Sequence, residues 1–476
     1  VSTERSADTS PATLDRVFAA MHDASRRDPA PGHAIRRDRL ARLLALVREH
    51  ECDFVEAIDR DFGHRSSHET RLAELHVLAS GTRHAMAHLR RWMRRRRVPT
   101  PFELMPGRAF VDPQPLGVVG IVSPWNYPVQ LALGPAIGAL AAGNRVLLKP
   151  SETTPATSAL LARAIGARFA PDEFAVVTGG PETGAAFTRL PFDHLFFTGS
   201  TAVGRLVAMS AAENLVPVTL ELGGKSPAIV DASADFGALA PRLVMGKLLN
   251  AGQTCIAPDY ALVPRARIDA FATAIAGAVR ALYPQGAESP DYSSIVDDRH
   301  YARLEALVED ARAKGARVIR VPVDARPDPA TRRLPPTLIL DARGDMAVMQ
   351  EEIFGPLLPV EAVESLDDAI ARVARRPRPL ALYVFARDRA VRERVLRETV
   401  SGGVTVNDTL WHFAHEELPF GGVGASGMGA YHGEASFRTF SHMKSVFVQP
   451  RFVAAKLLHP PYGATFEKVL GLLKRL

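Results

Sequence analysis

The sequence predicts an α/β protein whose sheets are largely parallel and covered by helices, and three observations lead there. From residue 117 onward, short apolar runs alternate with helix-length segments, the pattern of βαβ units. The alternation comes in two successive blocks, 117–220 and 227–406, so two sheet-containing domains are expected. With 476 residues, 47% hydrophobic and 23% charged, the chain can bury more than one core and has the balance of a soluble globular protein.

The first segment is expected to be helical. Leu40, Leu43, Leu44 and Val47 recur at i, i+3, i+4 and i+7, and Phe54, Val55 and Ile58 extend the stripe. Cys52 falls in this helix between Glu51 and Asp53 and reads as an incidental cysteine. Six arginines within 90–97, around Trp92 and Met93, read as the basic end of a surface helix, where cations complement the helix dipole. The first block then gives strands at 117–122, 145–148, 174–177, 194–197 and 218–220, with helices at 129–142, 154–169 and 201–213. The second gives strands at 227–230, 261–263, 317–319, 338–340, 382–385 and 404–406, with an exposed loop at 324–332. Residues 421–429 are a glycine-dense crossing. The tail from Phe466 onward is amphipathic and suited to docking on the protein, a partner subunit or a membrane surface.

Composition narrows the function classes. The net charge of +6 suits anionic ligands without requiring nucleic acid. Two cysteines make no disulfide framework, and no CxxC or Cys/His cluster signals a metal, so none is expected. The polar opening, Val1-Ser2-Thr3-Glu4-Arg5, lacks a signal-peptide core, and no apolar run is long enough to span a membrane. A cytoplasmic location and no stable membrane anchor are expected.

Three stretches carry chemistry. Gly252-Gln253-Thr254-Cys255-Ile256 supplies a thiol, Glu221-Leu222-Gly223-Gly224 a carboxylate, and Pro124-Trp125-Asn126-Tyr127-Pro128 a side-chain amide. A thiolate attacks carbonyls, a carboxylate activates water, and an amide holds an oxyanion. Each also has a plainer reading: Glu221 suits a buried structural carboxylate as well as a general base, and Asn126 suits a helix cap as well as an oxyanion donor. Gly199 and Ser200 occupy a strand-to-helix turn that either binds pyrophosphate or merely turns. Lys149 and Glu152 close a strand, where they could hold ribose hydroxyls or simply be solvated. Gly224-Lys225-Ser226 imitates the end of a P-loop, but Thr219 stands where its first glycine is required.

Taken together, these motifs resemble the NAD(P)-dependent aldehyde dehydrogenase superfamily from about residue 15 to 450. Glu351-Glu352-Ile353-Phe354-Gly355-Pro356 and Leu418-Pro419-Phe420-Gly421-Gly422 add to the match, as does the 34-residue separation of Glu221 from Cys255. Asn250 to Tyr260, Val404-Thr405-Val406-Asn407-Asp408, Gly429-Ala430-Tyr431-His432-Gly433 and His459-Pro460-Pro461-Tyr462-Gly463 are similar to class 3 and coniferyl aldehyde dehydrogenases, without the hydrophobic anchor of the fatty aldehyde members.

The resemblance implies the aldehyde dehydrogenase fold. A Rossmann-like cofactor domain would span 1–104 and 123–222 with part of 407–430, and an α/β catalytic domain 223–406. A small β oligomerisation arm would span 105–122 and 431–454, followed by the tail at 455–476. It implies Cys255 as nucleophile, Glu221 as deacylating base and Asn126 as oxyanion donor. Lys149 and Glu152 would meet the adenosine ribose, Gly199 and Ser200 the pyrophosphate, and Glu352, Phe354 and Trp125 the nicotinamide end. NAD is expected because Glu152 repels a 2′-phosphate, and class 3 relatives leave NADP open. The activity implied is oxidation of an aromatic, coniferyl-type or medium-chain aldehyde to the acid by a homodimer, with Trp411 and Phe413 at an apolar entrance. The competing readings are a CoA-acylating dehydrogenase, which Glu221 argues against, and a cysteine hydrolase using His194, His412 or His415.

Overall fold

The computed structural model describes residues 8–451 and 454–474; the opening Val1 to Arg5 and the last two residues of the tail lie outside the described residues. Strands β1 (Arg96–Val98) and β2 (Arg108–Pro115) come first, followed by β3 (Val118–Val122), β4 (Arg145–Lys149) and β5 (Phe174–Val176). Then come β6 (His194–Thr198), β7 (Val218–Glu221), β8 (Pro227–Val230), β9 (Tyr260–Pro264), β10 (Arg317–Arg320) and β11 (Thr337–Leu340). The series ends with β12 (Leu357–Val363), β13 (Ala381–Phe385), β14 (Gly403–Val406), β15 (Gly427–Met428) and β16 (Ser441–Val448).

Three sheets result. The six-stranded sheet has the order β15-β7-β6-β3-β4-β5, with β3 to β7 parallel and β15 antiparallel to β7. The chain starts at β3, moves outward through β4 and β5, then returns to the other side of β3 for β6 and β7. That is the dinucleotide-type doubly wound order, with a switch point between β3 and β6 where a crevice opens beyond the strand ends. Its strands are almost wholly buried, as a sheet covered on both faces requires. One cover is the helix Gln130–Ala142, apolar all round and buried along nearly its whole length.

The seven-stranded sheet has the order β10-β11-β12-β9-β8-β13-β14, and only β10 runs antiparallel to its neighbour. Its central β12 is absent from the sequence expectation. Pro359 and Glu361 interrupt the apolar run, and proline argues against a central strand. Arg372 binds the Glu361 carboxylate, which lets an acid sit within the sheet.

The third sheet, β1-β2-β16, is antiparallel throughout. Three expectations are corrected here. The arginine run does not simply end a helix: the helix Val77–Trp92 stops, and Arg96 and Arg97 enter the edge strand β1 with Arg95 paired to Asp112 at 3.1 Å. Residues 118–122, grouped with the arm on sequence, form the first strand of the six-stranded sheet. Within 431–454, the helix Gly433–Thr439 packs on the helical layer through Phe437 and Ser436, and only β16 joins the arm. The N-terminal stripe is also two helices, His33–Glu49 and Glu51–Phe62, with Leu46 rather than Leu44 fully inside. The tail helix Ala464–Leu473 has no buried residue, and among the described residues no helix is long and apolar enough to cross a membrane.

One buried ion pair holds the first domain's crevice in shape. Arg65 and Glu74, with fully buried side chains, meet at 3.0 Å. The guanidinium lies over the rings of Tyr127 and Phe62 and donates to the Asn126 carbonyl at 2.9 Å. Glu74 accepts the Val129 and Gln130 N–H groups at 2.8 and 3.0 Å, so the loop after β3 is gripped at both ends. Arg65→Met leaves the Glu74 charge uncompensated in the interior, and we expect it to cost about 3–5 kcal/mol. A thermal-denaturation midpoint unchanged from the parent would contradict this role.

Candidate active site

The thiol is aimed by a sharp reversal of the backbone. The helix Phe236–Leu248 runs into Asn250, Ala251 and Gly252, three successive left-handed residues with φ of 53°, 51° and 77°. Two of these carry side chains, so the conformation is strained and must be held from outside. Asn250 Nδ2 donates to the Asn126 carbonyl at 2.9 Å, and the Asn250 N–H reaches Glu69 at 3.0 Å. At Gly252 a Cβ would lie 2.3 Å from the Gly355 carbonyl, so only glycine fits. Gln253 braces the turn: its amide donates to the Asn250 and Ser294 carbonyls, both at 3.0 Å, and accepts the Val296 N–H at 2.9 Å.

Cys255 emerges from this turn into a cavity of about 230 Å³ between the two large sheets. Trp125, Asn126, Gly199, Ser200, Glu221, Glu352 and Phe354 line the same cavity. Lys149 and Glu152 do not. They sit at the end of β4 as an ion pair of 3.0 Å, with Lys149 buried and Glu152 about half exposed.

Asn126 follows β3 and is buried; its Nδ2 donates to the Gln253 carbonyl at 3.0 Å, leaving the second amide N–H free of that bond. The capping alternative is removed, because the following helix has Val129 at its cap and no side-chain cap bond. Glu221 is the last residue of β7, between Thr198 of β6 and Gly427 of β15. Both of its carboxyl oxygens are buried without a hydrogen-bond partner. A structural carboxylate would be satisfied by donors, and leaving one unpaired is costly. Burial alone drives its pKa well above the ordinary range, so the carboxylate takes up a proton more readily than an exposed one.

Glu352 lies against Gly223, where a Cβ would come within 2.1 Å of Oε2. Its carboxyl is pushed up to about 8, first by burial and then by Asp259, with the Gly224 N–H opposing. The Cys255 thiol is pushed up to about 12, by burial first and then by the neighbouring Glu352 and Glu221 carboxyls. In this resting arrangement the sulfur is a neutral thiol at pH 7.

The cavity also holds residues with no local sequence signal. His300 and Arg303 come from one helix, Asp298–Ala313. The His300 ring lies 5.0 Å from Trp125, and Arg303 donates to the Glu352 carbonyl at 3.2 Å. Phe413 lines the cavity as expected and stands edge-on to Phe420, another wall residue. Trp411 is 63% exposed and is not part of the lining. The histidines a hydrolase would need are elsewhere: His194 bonds Thr219, His412 bonds Thr405, and His415 accepts the Glu417 N–H. None of the three lines the cavity.

A doubly wound sheet of dinucleotide type facing a second α/β sheet, with a lone thiol in the cleft between, defines a two-domain enzyme class that joins redox to covalent sulfur chemistry. The chain belongs to the aldehyde dehydrogenase family, whose sequence profile (Aldehyde dehydrogenase family) matches residues 3–446, and it is an oxidoreductase acting on aldehydes. It is 47% identical over 443 residues to a coniferyl aldehyde dehydrogenase of Pseudomonas sp., covering 92% of each chain. A solved structure described as the substrate-bound state of Staphylococcus aureus AldH superposes with a TM-score of 0.92 at 39% identity, over 97% of this chain and 99% of that one. A Mycobacterium tuberculosis aldehyde dehydrogenase complexed with NAD+ superposes with a TM-score of 0.81 at 28% identity, over 94% and 92%. The fold is that of the aldehyde dehydrogenases, and NAD(P) use follows from the family.

The thiol's surroundings make a direct prediction. In a Cys52→Ser background without ligands, alkylation of Cys255 should be slow at pH 7 and still rising above pH 9. Removing a neighbouring negative charge favours the thiolate, so Glu352→Gln should speed alkylation several-fold at pH 9. A rate already level below pH 8 would show that the thiol is not held protonated.

Proposed function

We propose that this chain uses NAD to oxidise an aromatic, coniferyl-type or medium-chain aldehyde to its carboxylic acid, with Cys255 as nucleophile. The observation that carries this reading is Glu221: an unpartnered buried carboxyl facing the cavity into which Cys255 projects. Its place suits an acceptor for the thiol proton and, later, for a proton of water.

The residues fit a dinucleotide. The crevice at the β3–β6 switch point is bordered by Pro124, Trp125, Gly199 and Ser200, and Ser200 caps the twelve-residue helix Thr201–Ala212. Helix N-termini favour phosphate. Gly199 and Ser200 would hold the pyrophosphate, Lys149 and Glu152 the adenosine ribose, and Glu352 with Phe354 and Trp125 the nicotinamide end. The carboxylate of Glu152 disfavours a 2′-phosphate, which supports NAD over NADP. When bound, NAD supplies the hydride acceptor that converts the cysteine adduct to a thioester.

The chain's own groups do the rest. As Cys255 Sγ bonds the carbonyl carbon, its proton passes toward Glu221 and the substrate oxygen gains the charge. The free N–H of Asn126 and the Cys255 backbone N–H would stabilise that oxyanion. Once Glu221 has passed that first proton to solvent, it takes a proton from the water that attacks the thioester, and the acid leaves as the sulfur is freed. The apolar walls Leu131, Leu380, Phe413, Phe420 and Tyr431 suit a hydrophobic aldehyde. The coniferyl aldehyde dehydrogenase among the relatives supports an aromatic one. We assign a homodimer built through the arm, because edge strand β16 exposes Met443, Phe447 and Val448, and a cytoplasmic location.

Reduced cofactor formed during aldehyde turnover is the primary test. Cys255→Ala should abolish it, and Asn126→Ala should lower kcat about 10²–10³-fold. Glu221→Gln should slow acid release about 10²–10⁴-fold and leave an acyl adduct on Cys255 visible by intact mass. Full turnover by Glu221→Gln, or acyl-CoA as the product when CoA is present, would replace hydrolysis with another resolving step. Cinnamaldehyde-type substrates should exceed short straight-chain aldehydes in kcat/KM by at least tenfold; the reverse order would remove the aromatic assignment.

A further inference from the structure

A cluster remote in sequence from the thiol has the chemistry of a metal site. His84 and His88 lie four residues apart on the helix Val77–Trp92 and so project from one face, with ring centroids 4.2 Å apart. His88 Nδ1 donates to the His84 carbonyl at 2.9 Å, which fixes the tautomer and leaves Nε2 with its lone pair. His84 Nε2 is buried, makes no hydrogen bond, and lies 3.3 Å from Oε1 of Glu417. One ligand atom from each of the three side chains lies within 4.8 Å of the other two.

We propose that His84, His88 and Glu417 bind a divalent transition-metal ion of the zinc class, and that the ion clamps the segment carrying Phe413 and Phe420 to the helix Val77–Trp92. Two imidazoles with one carboxylate select zinc, cobalt or nickel rather than calcium or magnesium, which take oxygen ligands. Bonds of about 2.0–2.1 Å place tetrahedral ligands about 3.4 Å apart. The half-exposed Glu417 side chain is free to make that closure, and water completes the coordination. The ion would join residues 333 apart in sequence. Glu417 stands between Phe413 and Phe420, which both line the catalytic cavity, so binding restrains one wall of that cavity.

Thiols also bind zinc, so the test uses the untagged full chain carrying Cys52→Ser and Cys255→Ser. Titration calorimetry with zinc chloride should show one site of micromolar or tighter affinity, with no binding of magnesium. His88→Ala and Glu417→Gln should each weaken it at least tenfold; the second variant changes a surface residue and keeps the fold. Hydrogen exchange at 411–418 should slow on zinc addition in the parent and not in either variant. Unchanged zinc affinity in Glu417→Gln overturns the site, and binding without slower exchange at 411–418 overturns the clamp.

Discussion

The geometry of the cleft depends on one peptide carbonyl, that of Asn126, and on the buried charge that pulls on it. Arg65 donates to this oxygen from below, and Asn250 donates to it from the other domain. Arg65 can sit there only because Glu74 neutralises it, and Glu74 spends its other oxygen on the N–H groups of Val129 and Gln130, the cap and first residue of the covering helix. A buried pair of this kind adds little net stability over an apolar replacement, but it permits a single arrangement of its partners. Here that arrangement sets the amide of Asn126 and the strained turn ahead of Cys255 in one frame. The left-handed run at 250–252 is thereby held by contacts outside itself, including Glu69, whose own carboxyl is pushed up to about 7 by burial.

Around that frame the cleft gathers buried acids. Glu221, Glu352 and Cys255 are all shifted upward, and in each the leading cause is removal from water. A site optimised for stability would pair or remove these groups. Holding them in so dry a place is a cost that active sites commonly carry, and it raises the affinity of each for a proton. The same low polarity that raises the thiol's pKa would strengthen each hydrogen bond offered to a developing oxyanion.

Much of the fold was legible because the parallel strands are covered on both faces and read as unbroken apolar runs. β3, β4, β6 and β8 fall within a residue or two of expectation. β12 was not legible, since Pro359 and Glu361 break its run and only the distant Arg372 makes the acid tolerable. The arm boundary was misplaced because β2 and β3 are separated by two residues, and nothing local marks the change of sheet. In the site, Cys255, Glu221 and Asn126 stood out through glycine and proline around them. His300, Arg303 and the His84–His88–Glu417 group did not, because what unites them is proximity in space and not a motif.

The antiparallel pairing of β15 with β7 has a consequence for how the chain is made. Glu221 ends β7, yet the strand that covers its outer edge, beginning at Gly427, is translated 206 residues later. At about 5–20 residues per second, roughly 10–40 s pass between the two. Throughout that interval the edge of the first sheet is an open template for pairing, while the whole second sheet emerges from the ribosome. The first domain therefore completes only after the second has been synthesised, and a truncation before residue 427 would leave a sticky sheet edge rather than a working half-enzyme.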